Sequence, residues 1–322
     1  MLKYEIVKIL KNEDDFVSGA FLAEKFSVSR MTINFLIKEL IENGYKITAI
    51  RNKGYKLEDC SKAYNLHELS YFLENVDNFF YLESVSSTND YLKNLAKSGA
   101  SEGTVVFADT QTAGKGRLGR NFFSPKRKGI YVSYLFRPKC SVTELTTLTA
   151  RVAVAVSKAI KTVCGLTVDI KWVNDLLLNE RKICGILTEL SVIGEGMRPE
   201  FAVVGIGINV NNKESDFDSE LKLKATSLFA ETGKEYSRIE LLAEIIKNLR
   251  VLFDGDKAED MEYYRTHCYN IGKKAVFEYS DDVVTGLVLG IDDNNGLLVK
   301  LGDEQITLTS GVVSIKTPKG YC

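Results

Sequence analysis

The stretch QTAGKGRLGR, residues 111–120, alternates glycines with cations. Glycines allow a backbone to approach a ligand closely, and the cations Lys115, Arg117 and Arg120 indicate that this ligand is an anion. Residues 110–143 contain eight Lys or Arg and no Asp or Glu, whereas the whole chain has a formal net charge of -1. The positive charge is therefore local, and we predict that it marks the site of the protein's chemistry.

The same residues also fit G-x-G-x-x-G, the dinucleotide-binding fingerprint. That fingerprint needs a helix that begins at its third glycine and an acidic residue about 20 positions later. The sequence NFFSP follows instead at residues 121–125, and no acidic residue stands at the required distance. A Walker A loop is excluded because no Gly-Lys-Ser/Thr ends the stretch. We interpret it as a flexible anion clamp that is not built on a helix N-terminus, and a solvated basic loop is the alternative.

Length and composition are those of an ordinary globular protein. The 322 residues suggest two or three domains, and 45% hydrophobic with 26% charged residues is typical of soluble proteins. No apolar run approaches the roughly 20 residues of a membrane span. The charges within residues 1–10 indicate an amphipathic helix and not a signal peptide. We therefore expect a cytoplasmic protein with no membrane partner.

Cysteine and histidine usage argues against several kinds of site. The six cysteines are scattered without a CxxC pair, which is typical of reduced thiols in a cytoplasmic protein. The chain has only two histidines, His67 and His267. This argues against a His-rich metal site and against a Ser-His-Asp triad, so we expect no metal site formed by the protein alone.

Residues 1–62 have the pattern of a helix-turn-helix with a wing. Ser18 is expected to cap a second helix, and Ser29 to cap a third helix that ends at Gly44. The apolar residues of that third helix form one inward stripe, namely Ile33, Leu36, Ile37, Leu40 and Ile41. Two short strands joined by a turn at residues 51–54 follow, and they predict a basic wing.

Polar and cationic residues outside that stripe are candidates for DNA contact, with the later helix as the reader. The candidate DNA-binding residues, on the third helix and in the wing, are Arg30, Thr32, Asn34, Lys38, Arg51 and Lys53. The charge of the segment is almost balanced, so the prediction depends on where the cations are placed and not on their sum. A small helical cap or dimerisation domain is the alternative.

The remaining residues are expected to form two further domains. Residues 63–268 mix strands such as Thr104–Ala108 with a long apolar helix, Leu145–Val163, which predicts a central α/β domain with a mixed sheet. Residues 269–322 contain four or five short alternating segments around the turn signal Asn-Asn-Gly at 294–296. They predict a small SH3-like β-barrel, and the chain is thus expected to be an α+β multidomain protein.

Two polar segments can complete the site around the basic loop. SSTN, residues 86–89, supplies hydroxyls and an amide that can bind a urea-like group or can simply cap a helix. GIGIN, residues 205–209, places glycines inside an apolar strand. This indicates that a ligand or another backbone passes close by, and tight sheet packing is the alternative.

A third segment supplies further cations. KWVND (171–175) and RKICGILTE (181–189) predict a hairpin that brings Lys171, Asp175 and Lys182 near one another. A buried lysine needs an anion, although a surface lysine at a strand end is the alternative. No nucleophile and no acid–base dyad is evident. Nucleotidyl transfer requires little more than positioning and charge neutralisation, so the site suits activation of a carboxylate by a nucleoside triphosphate.

In this order and spacing, SSTN, QTAGKGRLGR, KWVND, RKICGILTE and GIGIN resemble the motifs of biotin–protein ligases. With the winged helix and the small barrel, the resemblance spans essentially the whole chain and is to the bifunctional bacterial type, both ligase and biotin-operon repressor. It implies that biotin and ATP form biotinyl-5′-AMP and pyrophosphate. A lysine of the biotin carboxyl carrier protein of acetyl-CoA carboxylase then accepts biotin, and AMP leaves. Mg²⁺ would accompany ATP.

The resemblance also implies roles for individual residues. Biotin is expected to contact Ser87, Thr88, Asn89, Gln111, Lys115, Gly116, Arg117 and Lys182. ATP and the adenylate are expected to contact Arg120, Phe122, Asn174, Asp175 and Asn209. Lys182 and Arg117 would be the catalytic residues, because they neutralise charge that develops on the phosphorus oxygens.

Two positions depart from the family pattern. Val173 stands where proline is common, and this should change only local stiffness. Phe122 stands where many members have tryptophan, which offers more area and an indole donor. We therefore expect an altered affinity for the intermediate but no loss of activity.

Regulation is implied in the same way. The expected partners are the acceptor lysine, operator DNA and a second copy of the chain, with biotinyl-5′-AMP as the corepressor. Three alternatives stand beside this interpretation: a biotin-sensing transcription regulator without catalysis, a lipoate-type ligase, and an RNA-binding basic loop. The intact loop and Lys182 argue against the first, and SSTN with Gln111 favours biotin over lipoate.

Overall fold

The computed structural model describes the chain apart from short gaps, that is, residues 2–60, 62–194, 198–279, 282–317 and 320–321. The chain divides into two compact units. One contains the residues up to Glu74 with Ser237–Glu240, and the other contains Asn75–Tyr236 with the residues from Leu241 onward. The predicted domain boundaries after residues 62 and 268 stay predictions.

The described residues form helices and strands of very different length. The helices are α1 (Leu2–Lys11), α2 (Gly19–Lys25), α3 (Arg30–Glu42), α4 (Leu66–Leu69), α5 (Thr88–Lys97), α6 (Leu148–Cys164), α7 (Leu221–Lys224), α8 (Leu228–Thr232), α9 (Arg238–Arg250) and α10 (Lys257–Thr266). The strands are β1 (Lys46–Ile50), β2 (Gly54–Asp59), β3 (Phe79–Leu82), β4 (Val105–Ala108), β5 (Gly129–Phe136), β6 (Asp169–Lys171), β7 (Asp175–Leu178), β8 (Arg181–Ile193), β9 (Arg198–Asn209), β10 (Lys274–Tyr279), β11 (Asp282–Ile291), β12 (Leu297–Leu301), β13 (Glu304–Leu308), β14 (Ser314–Thr317) and β15 (Gly320–Tyr321).

The first unit has the predicted winged helix-turn-helix. Ser18 and Ser29 cap α2 and α3, because each hydroxyl accepts a hydrogen bond of 3.0 Å from the backbone N–H three residues later. The antiparallel hairpin β1–β2 follows α3 as the wing. Gly54 closes the turn of that hairpin at φ +118, where a Cβ would overlap the carbonyl of Val17, so this position requires glycine.

One part of the predicted inward stripe is wrong. Ile33, Ile37 and Leu40 are buried as expected, but Ile41 is 44% exposed. The physical reason is the helical period, because Ile41 directly follows Leu40 and therefore points about 100° away around the helix axis. The core of this unit faces only one side of α3.

The larger unit contains the predicted mixed sheet. Its seven strands lie in the order β3-β4-β5-β9-β8-β7-β6, and β3–β4 is parallel whereas the other neighbours are antiparallel. Helix α5 packs on this sheet through Leu92 and Ala96, which join a core with Val106 and Phe201. This packing holds the first turn of α5 at the sheet, where the site lies.

The predicted long helix begins later than expected. Thr143–Thr147 forms a 3₁₀ turn, and α6 itself begins at Leu148. Gly165 ends α6 in the left-handed conformation at φ +72, as helix C-termini commonly do. None of the helices in the described part of the chain has the length and apolarity that a membrane crossing requires.

The residues after α10 form an antiparallel sheet in the order β13-β12-β11-β10-β14-β15. The predicted Asn-Asn-Gly turn connects β11 to β12, and Asn295 has the positive φ of +67 that such turns use. The predicted strands after α10 are thus confirmed, and their closure into an SH3-like barrel stays a prediction.

Candidate active site

Ten of the predicted site residues line one cavity on the central sheet. They come from the start of α5, the loop between β4 and β5, the turn before β7, and strand β8, and they are Ser87, Thr88, Asn89, Gln111, Lys115, Gly116, Arg117, Phe122, Asn174 and Lys182. Strand residues 185–187 and 205–207 complete the lining. The sequence motifs, which are up to about a hundred residues apart, therefore meet in one place.

One end of the cavity is a buried polar cluster. Thr88 donates to Gln111 Oε1 from its backbone N–H at 2.9 Å and from its hydroxyl at 3.1 Å. Ser133 Oγ lies 2.8 Å from Thr88 Oγ1 and 2.6 Å from Asn89 Oδ1, and its single proton can serve only one of them at a time. Ser87 caps α5, so the helix-cap alternative holds for this residue while Thr88 and Asn89 face the cluster.

A chain of charges runs beside this cluster. Lys93 Nζ lies 2.9 Å from Asp90 and 2.7 Å from Glu189, and Lys115 Nζ lies 2.6 Å from Asp90. Asn89 Nδ2 donates to Glu189 at 2.9 Å. Burial raises the pKa of Asp90, but hydrogen bonds from Lys115 and Lys93 outweigh it, so the pKa lies below its ordinary value. Asp90 therefore stays a carboxylate and ties the loop to α5.

The glycines of β9 are required by side chains that lie directly on the strand. A Cβ at Gly207 would be 2.5 Å from Cε1 of Phe122, and a Cβ at Gly205 would overlap the amide of Asn89. The close approach predicted from GIGIN is thus made by the Phe122 ring and the Asn89 side chain. The Phe122 ring also meets Tyr131 edge-on, with centroids 6.4 Å apart.

The other end of the cavity is cationic, because Asn89 lies on Gly205 whereas Lys182 lies beside Gly185, which pairs with Gly207 further along β9. Lys182 Nζ lies 2.7 Å from Asp175 Oδ1, and Arg117 donates to Asn174 Oδ1 at 3.3 Å. Asn174 in turn donates to the carbonyl of Ile186 at 2.8 Å. The predicted proximity within the hairpin is present, because Asp175 also stands opposite Lys171 across β6–β7. Both cations therefore belong to one fixed group of side chains.

Three predicted nucleotide contacts lie outside the lining of the cavity. Arg120 is exposed, and its carbonyl accepts the backbone N–H of Gly116 at 2.7 Å. Asp175 does not line the cavity, but its carboxylate forms an ion pair with Lys182, which does. Asn209 is buried and donates to the carbonyl of Thr226 at 3.0 Å, while its Oδ1 has no hydrogen-bond partner within the described residues.

The turn before β7 is fixed by the residues after α10. Trp172 donates from Nε1 to the carbonyl of Asn295 and from its backbone N–H to Asn270 Oδ1, both at 2.8 Å. The peptide bond between Trp172 and Val173 is cis. Asn174 lies in this turn and Asp175 begins β7, so the residues after α10 help to position both side chains.

Comparison with known proteins identifies the family. Residues 81–209 match the biotin/lipoate A/B protein ligase family, residues 3–56 match an HTH domain, and residues 271–316 match the biotin protein ligase C-terminal domain. The chain is 32% identical to the bifunctional ligase/repressor BirA of Bacillus subtilis over 314 residues, which cover 94% of this chain and 95% of that protein. The chain belongs to the family of bifunctional biotin–protein ligases and repressors.

A solved structure supports the fold of this ligase. The biotin protein ligase from Aquifex aeolicus in complex with biotin and ATP superposes with a TM-score of 0.62 and 30% identity, covering 74% of this chain and 98% of that one. BirA of Escherichia coli is 27% identical over 301 residues, which cover 92% of this chain and 91% of that protein. The predicted resemblance is therefore confirmed.

The ligase also presents the predicted DNA-binding residues on its first unit. Arg30, Thr32, Asn34 and Lys38 are exposed on α3, and Arg51 and Lys53 are exposed at the turn of the wing. Thr32 takes part in the cap of α3, because its backbone N–H and hydroxyl both lie within 3.0 Å of Ser29 Oγ. Asn34 approaches the Tyr55 hydroxyl at 3.5 Å.

Sequence reasoning missed several residues of the ligase site. Ser133 is fully buried in β5 among apolar neighbours, and a lone polar residue in such a strand signals a hydrogen-bond partner. Asp90 directly follows the SSTN motif, so its position was visible in the sequence. Lys93 and Glu189 gave no comparable signal, because their pairing depends on the meeting of α5 and β8.

Proposed function

We propose that this ligase adenylates biotin in the cavity and transfers it to a lysine of the biotin carboxyl carrier protein of acetyl-CoA carboxylase. One observation carries the proposal: the cavity is lined by a buried hydroxyl and amide cluster, in which Asn89 lies on Gly205, and by two cations, Arg117 and Lys182, with Lys182 beside Gly185. A biotin molecule, with a ureido group at one end and a carboxylate at the other, has the same two kinds of ends.

The polar cluster suits the ureido group. A cyclic urea offers one strong acceptor and two N–H donors, and Ser87, Thr88, Asn89 and Gln111 offer hydroxyls and amides that can do both. Burial of this cluster makes each unmade hydrogen bond costly, so a carboxylic acid without a urea should bind weakly. Lipoate lacks such a group, and this favours biotin as the substrate.

The cationic end suits the chemistry. In the first step a biotin carboxylate oxygen forms a bond to the α-phosphorus of ATP, the bond to pyrophosphate breaks, and biotinyl-5′-AMP results. The two anions repel each other, so Lys182 and Arg117 stabilise the charge on the phosphorus oxygens. In the second step the acceptor lysine, as a neutral amine, attacks the acyl carbon. AMP then leaves, and the new amide loses a proton.

Mg²⁺ fits this site as a companion of ATP. The described residues contain no group of three or more His, Cys, Asp and Glu side chains that could hold a metal ion. Mg²⁺ commonly binds through one or two carboxylates together with substrate phosphates. Asp175, the carboxylate beside Lys182, is the oxygen donor that would suit it, and the ion would supply positive charge at the phosphates.

We further propose that the protein represses transcription as a homodimer. A winged helix-turn-helix bound as a two-fold dimer reads an operator with two related half-sites. Biotinyl-5′-AMP is the corepressor, because the intermediate orders the loop at 111–120 and thereby favours the dimer.

Biotin-dependent ATP–pyrophosphate exchange tests the catalytic proposal, with lipoate as the control acid. Lys182→Ala and Arg117→Ala should each reduce exchange by about 100-fold or more, the usual effect of removing one preorganised charge donor. Lys126→Ala is the matched control, because Lys126 is exposed and does not line the cavity. An absence of exchange with either acid would contradict adenylation.

A further inference from the structure

Two large apolar side chains stand exposed on α3. Met31 is 81% exposed and Phe35 is 62% exposed, and their spacing of four residues puts them on the same face of the helix. The opposite face already forms the core through Ile33, Ile37 and Leu40. Single exposed apolar residues are common, but a second apolar face on an amphipathic helix indicates a contact surface.

The same exposed face of α3 also contains polar residues, and none of them is acidic. Met31, Asn34, Phe35 and Lys38 have the spacing i, i+3, i+4, i+7 and are all exposed, so they form one stripe along α3. Residues 29–38 contain two cations and no acidic side chain. The first acidic residue, Glu39, is paired with Lys3 at 3.1 Å. The stripe is therefore apolar and positively charged together.

We propose that Met31 and Phe35 determine operator specificity by contacting thymine C5-methyl groups in the major groove. This inference rests on the proposed repressor function. The thymine methyl is the apolar group on the base edges of that groove, and apolar side chains including phenylalanine contact it. The charge of the surface is complementary to DNA, because Lys38 on the stripe and Arg51 and Lys53 in the wing are exposed cations.

The geometry of α3 supports this assignment. Ser29 caps the helix, so Met31, Asn34 and Phe35 all lie in its first two turns. The N-terminal residues of a recognition helix are those that reach base edges. The half-site is therefore expected to carry thymines where Met31 and Phe35 approach the bases. Lys38, one turn further on, contacts a phosphate and contributes no such preference.

The test deletes the methyl groups from the DNA and the apolar side chains from the protein. The full chain, with biotin and Mg-ATP, selects duplexes from a random-sequence library. The tightest duplex is then resynthesised with deoxyuracil in place of one thymine at a time. At the contacted positions the wild type should bind about fourfold more weakly, the effect of exposing one methyl-sized group.

The variants then assign the contacts. Phe35→Ala and Met31→Ala should each weaken binding to the thymine duplex. At one contacted position, each variant should then bind the thymine and deoxyuracil duplexes equally. Lys38→Ala should weaken binding to the thymine and uracil duplexes equally. Val283→Ala is the matched control, because Val283 is 72% exposed in β11, and it should change neither. Biotin transfer by all four variants should equal that of the wild type, which shows that the second unit is intact, and unchanged urea-unfolding curves should show that the first unit is folded.

The other outcomes are distinguishable. Tight selection of a duplex with no uracil-sensitive position would overturn the methyl contacts and leave the repressor function standing. If no duplex is selected, even with added biotinyl-5′-AMP, the repressor function fails and this inference with it. If Phe35→Ala keeps the sensitivity to uracil but changes the oligomeric state, the face contacts a second copy of the chain, and the inference is wrong.

Discussion

Asp90 is the residue that ties the glycine-rich loop to α5. Its carboxylate lies 2.6 Å from Lys115 in the loop and 2.9 Å from Lys93 in the helix. The loop contributes Arg117 to the cationic end of the cavity. Asp90 is therefore a positioning residue, because it acts on the ligand through Lys115 and does not itself line the cavity.

Asp90→Asn should allow preformed biotinyl-5′-AMP to leave faster. The loss of the negative charge releases Lys115, and an exposed ion pair contributes about 0.2–1 kcal/mol, so the release rate should rise by up to about fivefold. Release is measured as the decay of bound adenylate in the absence of acceptor. Asp90→Glu keeps the charge and should retain the adenylate as the wild type does. Equal release rates for Asp90→Asn and Asp90→Glu would argue against a role for the charge.

The pKa of Asp90 determines how this effect varies with pH. Burial raises the pKa of this carboxyl, but hydrogen bonds from Lys115 and Lys93 outweigh burial and hold the pKa below its ordinary value. A carboxylate with a depressed pKa contributes its full stabilisation at pH values above its unfolded pKa. That stabilisation is lost as pH falls through the pKa of the folded state. The difference in retention between wild type and Asp90→Asn should therefore be constant from about pH 8 to 5 and decline only below about pH 4. A loss of the difference between pH 6 and 7 would contradict this.

Gly207 makes room for the Phe122 ring. Gly207→Ala would put a Cβ 2.5 Å from Cε1 of that ring, and overpacking of this kind costs about 1–3 kcal/mol. Chemical denaturation should show that loss, and the KM for ATP should rise because Phe122, an expected nucleotide contact, lines the cavity. Gly290→Ala is the matched control, since its Cβ would meet only a Leu298 methyl at 4.0 Å. Phe122→Leu in the Gly207→Ala background should recover part of the stability.

At the scale of elements, the residues after α10 hold the turn that leads into β7. The backbone N–H of Ile170 in β6 donates to the carbonyl of His267 at 2.8 Å, and the carbonyl of Ile170 accepts the N–H of Tyr269 at 2.9 Å. Trp172 adds its indole donor to the carbonyl of Asn295. The position of Asn174 and Asp175 thus depends on the C-terminal sheet as well as on the central sheet.

Trp172→Phe should reveal this dependence. The change keeps most of the buried ring but leaves the carbonyl of Asn295 without its donor, and an unsatisfied buried group costs about 1–3 kcal/mol. Urea denaturation should show a lower midpoint, and the KM for ATP should rise in the pyrophosphate-exchange assay. Tyr279→Phe, which changes a 39% exposed side chain, should alter neither. An unchanged midpoint for Trp172→Phe would mean that the turn is held by other contacts.

The predictability of each element followed from its periodicity. Strands after α10 such as Leu297–Leu301 could be predicted because they alternate and stand beside a turn signal. Helix α10 was missed because only Met261 and Tyr264 of its ten residues are buried, which leaves no apolar stripe. Strand β3, with the sequence FFYL, was missed because a short apolar run has no period to recognise.

At the scale of the whole molecule, motif order is visible in the sequence but long-range register is not. The SSTN and GIGIN motifs were recognised separately, yet the overlap that forbids a side chain at Gly205 comes from Asn89. The pair Asn89–Glu189 spans 100 residues, and only the packing of α5 on the sheet determines it. The chemistry of the cavity could thus be predicted, whereas its supporting contacts could not.

The two proposed functions occupy different units. All candidate DNA contacts, residues 30–53, lie in the first unit, and all candidate biotin and nucleotide contacts, residues 87–209, lie in the second. If biotinyl-5′-AMP is the signal between them, each function can be removed alone. Arg30→Ala should weaken operator binding while the rate of biotin transfer stays that of the wild type.

Lys182→Ala should show the reverse behaviour. It should bind the operator poorly during a short incubation with biotin and Mg-ATP, because it forms the adenylate much more slowly, and should bind when biotinyl-5′-AMP is added directly. Binding is measured by fluorescence anisotropy of a labelled operator duplex, with Lys126→Ala as the control that needs no added adenylate. Lys182 also contacts the adenylate in the proposed complex, so a higher concentration than the wild type requires is expected. Operator binding that is equal with and without any ligand would show that the first unit acts independently of the cavity.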